Sequence, residues 1–179
     1  INIFAFSNYA AKGLADENGR ILSGENENLV HPLASLTKIM TLLIITEKIE
    51  KNEISLNDTV TISKEADRLR GSSAHLSEGF KLTVEELFKA ALIHSGNDAA
   101  YALAQHASGD AESFVKLMNE KAYQLNMKNT VFRSPTGLPR LDGNLDISTI
   151  SDIAKLTSEA IKHPIFLKYS SLKETSIST

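Results

Sequence analysis

The sequence predicts an α+β fold in which a cluster of helices surrounds one buried helix and packs on an antiparallel sheet. Three observations predict it. Residues 9–26 read as two short strands around a turn, and five helical segments follow between residues 35 and 162. From Leu36 to Thr46 the only charged residue is Lys38, and a helix that is apolar nearly all round is one that packs on every side. The length of 179 residues corresponds to one domain, at roughly 150 residues per domain.

Composition narrows the function. A hydrophobic content of 42%, a charged content of 23% and a net charge of −3 exclude compositional disorder, which needs few apolar residues and a large net charge. The slightly acidic balance argues against a basic nucleic-acid-binding face. The absence of Cys removes disulfide scaffolds, thiol nucleophiles and Cys-based zinc sites together. Apolar runs such as Leu42–Ile45 are far shorter than the roughly 18 residues that cross a bilayer. The opening Ile1-Asn2-Ile3-Phe4 has neither Met nor a basic segment, so a signal peptide is expected to have been removed or omitted.

The elements follow in order. Asp16-Glu17-Asn18-Gly19 is turn chemistry between the first two strands, with a two-residue Asn-Gly loop as the expected form. Pro32 precedes the helix of residues 35–50, where its fixed φ and missing N–H are harmless. Residues 51–82 read as mostly loop. Thr83-Val84-Glu85-Glu86 is a capping box that opens a helix to about Ile93. Ser95-Gly96-Asn97 interrupts the helical pattern before a second helix over about 98–107, closed by Gly109. Further helices cover about 111–125, with Phe114, Met118 and Leu125 on one stripe, and about 150–162, stopping at Pro164. A lone hairpin is marginal in water, and the only further strand candidate is the weak tail of residues 168–179, so the sheet reads as unfinished. Its exposed edge is expected to pair with another molecule, giving strand-exchanged oligomers.

Ser35 and Lys38 are the first candidates for chemistry. At i and i+3 near a helix start they share one face, about 5–6 Å apart at Cβ. Ser35 lies where free backbone N–H groups and the helix dipole favour developing negative charge. Lys38 sits among Leu36, Ile39, Met40 and Leu42. Desolvation lowers a lysine pKa, and a neutral amine beside a hydroxyl forms a Ser–Lys nucleophile pair. The spacing alone carries no weight. With 19 Ser and 14 Lys, Ser-x-x-Lys arises about 1.5 times by chance, and it occurs three times, at Ser35, Ser113 and Ser170. Only the first places its Lys in an uncharged helical stretch; the competing reading is a Lys that snorkels to solvent.

Ser95-Gly96-Asn97 is the second candidate. Gly permits a sharp reversal between two helices, though Asn97 or Asp98 serving as an ordinary helix cap explains it equally well. The five histidines lack His-Glu-x-x-His spacing, which argues against a metal, and no organic cofactor is implied. Ser72 and Ser73 lie in a loop that could border the cleft.

Order and setting favour the functional reading. Ala34-Ser35-Leu36-Thr37-Lys38-Ile39-Met40-Thr41 is followed by Ile93-His94-Ser95-Gly96-Asn97-Asp98-Ala99-Ala100, with Ser95 standing 60 residues after Ser35. Together they resemble the penicillin-binding serine D,D-peptidases, most nearly the low-molecular-mass D-alanyl-D-alanine carboxypeptidases. Leu76-Ser77-Glu78-Gly79 and Asn129-Thr130-Val131-Phe132 before Ser134-Pro135-Thr136-Gly137-Leu138 extend the likeness from about residue 11 to 156.

The resemblance implies a β-lactamase/D,D-peptidase-like fold, with residues 1–179 as the N-terminal portion of a single serine D,D-peptidase catalytic domain. It implies a serine-type D-Ala-D-Ala carboxypeptidase, extracytoplasmic, acting on peptidoglycan stem peptides and acylated by β-lactams. Ser35 would be the nucleophile, Lys38 its base, Ser95 a proton relay and Asn97 a ligand for the substrate amide. The Ser35 N–H would form half of an oxyanion hole, a kind of interaction worth about 2.7–4 kcal/mol per donor.

The family's third motif, Lys-Thr-Gly or a close variant, does not occur in the 179 residues. The expectation is a truncated chain of low activity, with any C-terminal membrane anchor also outside it. Two alternatives accompany this reading. One is a class A β-lactamase, whose Glu-x-x-Leu-Asn letters occur at Glu53–Asn57 but before Ser95 rather than after it. The other is a non-catalytic module with the same fold.

Overall fold

Helix α1 (Thr37–Glu50) runs through the centre of the structure, a computed structural model that describes residues 10–172. Apart from the half-buried Ile39, every residue from Thr37 to Thr46 is buried, as its uncharged sequence requires. Burying each large apolar side chain is worth roughly 1.5–3 kcal/mol. The hydroxyls this helix takes inside are all satisfied. Thr37 donates to Asp146 at 2.9 Å, Thr41 to the Pro135 carbonyl at 2.7 Å and Thr46 to the Leu42 carbonyl at 2.8 Å.

Strands β1 (Lys12–Ala15) and β2 (Ile21–Glu25) form the N-terminal hairpin. Its connection is tighter in register and longer in loop than an Asn-Gly pair would give. Asp16 N–H bonds to Arg20 and Gly19 N–H to Asp16, and Gly19 takes φ 76°, the type I turn plus bulge of a three-residue loop. Gly13 lets the hairpin lie on the helix of residues 150–160, since a Cβ there would stand 2.6 Å from the Ile150 side chain. Strand β3 (His31–Pro32) then leads into a 3₁₀ turn at Ala34–Leu36 and α1.

Residues 51–82 hold more structure than their polar sequence predicts. Strand β4 (Thr59–Thr61) pairs antiparallel with β5 (Lys81–Thr83), and the short helix α2 (Lys64–Asp67) lies between them. Helix α3 (Val84–Ile93) opens on the capping box, with Thr83 and Glu86 bonded reciprocally. Helix α4 (Asn97–Ser108) ends at Gly109, whose φ of 84° closes it. Helix α5 (Ala111–Gln124) starts from an Asp110 cap, and its predicted stripe holds in part: Phe114 and Met118 are fully buried, Leu125 half-buried.

Strand β6 (Ile147–Ser148) pairs with β3, so that among the described residues the strands make three two-stranded antiparallel sheets. Helix α6 (Ile150–Ala160) is capped by Thr149. Pro164 does not close the helical region. It occupies the first turn of a further helix, α7 (Pro164–Ser170), where its lack of an N–H has no cost. Residues 168–170 are therefore helical rather than strand-like; residues 173–179 of the same expectation, and Tyr9 at the hairpin's start, lie outside the described residues. Helices α3 to α7 surround α1, with Phe88, Leu103, Phe114 and Leu156 among the fully buried side chains of the core. The predicted α+β fold with its Ser-x-x-Lys helix buried is the fold observed.

Candidate active site

Ser35 sits in the 3₁₀ turn that precedes α1, exposed, while Lys38 one turn further on is only 3% exposed. The residue before the serine, Ala34, has φ 47°, a left-handed conformation costing a non-glycine residue roughly 1–2 kcal/mol. Gly137, at φ 86°, holds it there. A Cβ on Gly137 would overlap the Ala34 carbonyl, so only glycine lets the two backbones approach this closely.

Lys38 Nζ donates to Ser35 Oγ at 3.3 Å, to Ser95 Oγ at 3.3 Å and to the Thr136 carbonyl at 3.0 Å. An ammonium has three donors and no acceptor, and all three are taken. Burial draws the Lys38 pKa from 10.5 down to about 8, opposed by the negative charge of Asp98. A deprotonated amine keeps two donors and gains one lone pair. A carbonyl can only accept, so the lone pair must face one of the two serine hydroxyls. The arrangement can take a proton from Ser35 or Ser95 without moving a heavy atom.

Ser95 lies between α3 and α4 and also has positive φ, 58°. Asn97 beside it is buried; its Nδ2 donates to the Arg70 carbonyl at 2.7 Å and its backbone N–H to the Ser72 carbonyl at 2.8 Å. Its side chain thus ties loop 70–73 to the Ser95 turn, and one amide N–H bond is spent on that tie. Ser73 donates to Asp98 at 2.6 Å. The structure therefore joins Ser35, Lys38 and Ser95 through one nitrogen, with Asn97 in the adjoining turn.

Sequence reasoning missed the contact made by the Thr136 carbonyl and the residue that holds the turn around it. Asp146 is buried and accepts from Thr37 Oγ1, from the Arg133 and Ser134 N–H groups and from Ser134 Oγ. Ser134-Pro135-Thr136-Gly137 entered the sequence reading as part of the family likeness. Nothing in its letters says that a backbone oxygen meets Lys38.

Other candidates lie apart. His94 is exposed at the end of α3. Glu53–Asn57 follows the far end of α1, about 21 Å of helix away from Ser35 at 1.5 Å per residue, and Glu53 is paired with Lys48 at 2.7 Å. Among the described residues, Glu47, Glu159 and His163 bring possible metal-ligand atoms within 4.8 Å of one another. Cations already attend both carboxylates: Lys121 bonds Glu47, and Lys162 bonds Glu159 at 2.8 Å.

Fold and site together define a protein with a Ser–Lys pair at the start of a buried helix. Comparison with known proteins gives the family. The D-alanyl-D-alanine carboxypeptidase family (peptidase family S11) matches residues 11–179, and the chain belongs to it. It is 40% identical over 158 residues to D-alanyl-D-alanine carboxypeptidase DacF of Bacillus subtilis, and 38% identical over 163 residues to DacC of Escherichia coli. Each match covers 88% of this chain and 40% of the relative, so the chain spans about two-fifths of the length of these relatives. Among solved structures, penicillin binding protein 6B from Escherichia coli superposes with a TM-score of 0.81 at 32% identity, over 88% of this chain and 51% of that one. Penicillin-Binding Protein D2 from Listeria monocytogenes, in its ampicillin-bound form, gives 0.77 at 34% identity, over 92% and 65%.

Proposed function

We propose that the chain carries the nucleophile half of a serine D-Ala-D-Ala carboxypeptidase. It would form the N-terminal portion of one catalytic domain acting, outside the cytoplasm, on peptidoglycan stem peptides. The observation that carries this is the buried Lys38 amine bonded at once to Ser35, Ser95 and the Thr136 carbonyl.

Neutral Lys38 takes the Ser35 proton as Oγ adds to the carbonyl of the penultimate D-alanine. The Ser35 backbone N–H faces the developing oxyanion from the start of the helix. Collapse of the tetrahedral intermediate breaks the amide bond, and the proton passes from Lys38 through Ser95 to the departing D-alanine nitrogen. Water, deprotonated by the same amine, then releases the acyl group and restores Ser35. Asn97 orients the substrate amide from the turn beside Ser95. A β-lactam carbonyl enters the same first step, and its ring opens on Ser35. The membership of the family supports the substrate class, and the ampicillin-bound relative supports the β-lactam reaction.

Incubation with a fluorescent penicillin, followed by peptide mapping, tests this reading. Covalent label on Ser35 that disappears in Ser35→Ala is the expected result. A chain that takes no label at Ser35 contradicts it and leaves a non-catalytic module. Rapid turnover of a chromogenic cephalosporin would indicate a β-lactamase instead.

A further inference from the structure

The proposed reaction uses Ser95 and Asn97 but leaves their neighbour Asp98 without a role. As the first-turn acidic residue of α4, Asp98 reads as a helix cap, yet its side chain is spent mostly elsewhere. It is 1% exposed and accepts four hydrogen bonds. Only one, from Ala99 N–H at 2.9 Å, lies within the helix. The other three come from a different segment: Ser73 Oγ at 2.6 Å, Ala74 N–H at 3.0 Å and Leu76 N–H at 3.1 Å.

The turn is shaped around this carboxylate. Gly96 separates Ser95 from Asn97 with an ordinary φ of −60°, so conformational freedom does not explain it. Space does: a Cβ on Gly96 would stand 2.9 Å from Asp98 Oδ1. The ties of Asn97 to Arg70 and Ser72 continue the same seam. Segment 70–76 is thereby fastened along the turn that presents Ser95 at its strained φ of 58°.

We propose that Asp98 is a positioning residue for the Ser–Lys reaction, its carboxylate clamping segment 73–76 onto the Ser95 turn and holding a compensating negative charge near Lys38. The inference rests on the serine-peptidase reading for its catalytic meaning, but not for its structural content. An acceptor-only group meets four donors here. An amide in its place turns an N–H₂ toward at least one of them, and a buried donor without an acceptor loosens the segment. The charge is the second function. Asp98 is what holds the Lys38 pKa up against burial, so its neutralisation frees that pKa to fall further.

Asp98→Asn, followed by amide hydrogen exchange and by NMR titration of the Lys38 side chain, tests both functions without requiring activity. Faster exchange at Ala74 and Leu76, together with a Lys38 midpoint below the wild-type value, is the expected result. Labelling of Ser35 by penicillin should slow on the order of 100-fold, as small displacements of catalytic groups do. A folded variant with unchanged exchange and an unchanged Lys38 midpoint overturns the proposal. Should Asp98→Asn not fold, Ser73→Ala decides: it removes one clamp bond and no charge, so exchange at Ala74 and Leu76 must rise while the Lys38 midpoint stays near about 8. Unchanged exchange in Ser73→Ala overturns the clamp. A wild-type chain that shows the clamp and the titration but takes no penicillin refutes the serine-peptidase reading and leaves the clamp standing.

Discussion

The two ends of α1 treat their lysines in opposite ways. At the C-terminal end lysines meet carboxylates: Lys48 pairs with Glu53 and Lys121 with Glu47, and the His163 ring bonds Glu50 at 2.8 Å. At the N-terminal end Lys38 is buried and touches only neutral oxygens, two hydroxyls and a carbonyl. Paired charges near solvent hold elements together and contribute modestly. A buried amine without a carboxylate in contact is costly as an ammonium, and that cost is what makes it a base near neutral pH. The same residue type thus serves packing at one end and chemistry at the other.

The largest effect should follow from removing the base. Lys38→Met is expected to slow penicillin acylation of Ser35 by roughly 10²–10⁴-fold, the usual contribution of a positioned proton acceptor. Its stability carries a second signature. Because the Lys38 pKa in the fold, about 8, lies below its value of 10.5 in the unfolded chain, the folded state binds fewer protons between those values. Wild type should therefore gain stability relative to Lys38→Met as pH rises from about 8 to about 10.5, and show no such drift below that window. Denaturant melts of both proteins across pH 7–11 measure this.

A smaller but still decisive effect is expected at the turn that faces Lys38. Gly137→Ala forces a methyl against the Ala34 carbonyl at a φ that disfavours side chains. Overpacking of this kind costs typically about 1–3 kcal/mol, and the displaced Ser35 should label more slowly by more than the loss of folded protein explains. Equal labelling per folded molecule would show that the Ala34 conformation does not set the nucleophile.

The smallest effect belongs to the far end of α1. Lys48→Met cuts an ion pair whose partner Glu53 is 47% exposed, so a loss of about 0.2–1 kcal/mol is expected, with the Ser35 labelling rate unchanged. A labelling rate that fell with this substitution would couple the two ends and break the contrast between them.

Much of the site was legible because it depends on short-range pattern. A single Lys in an uncharged helical stretch predicted both the burial of α1 and the environment of Lys38, and the order of the two motifs brought in Ser95. What sequence hid depends on contacts between distant segments. The Thr136 carbonyl is a backbone atom 98 positions from Lys38, and no side-chain pattern reports its direction. Asp98 looked like a cap because an acidic residue in a first turn is ordinary; its bonds to residues 73–76 are tertiary. Strands β4 and β5 escaped because three residues alternate too briefly to register, although Thr59-Val60-Thr61 and Lys81-Leu82-Thr83 each bury their middle residue. Pro164 was read as a stop because proline ends one helix and begins another with equal ease.

The pH dependence of Ser35 acylation probes the role of Lys38 most directly. If the lone pair of this amine accepts the serine proton, the rate rises about tenfold per pH unit at low pH, in step with the neutral fraction, and levels off near pH 8. A rate that is flat below pH 8, or that climbs without a break toward 10.5, would show that some other group accepts the proton.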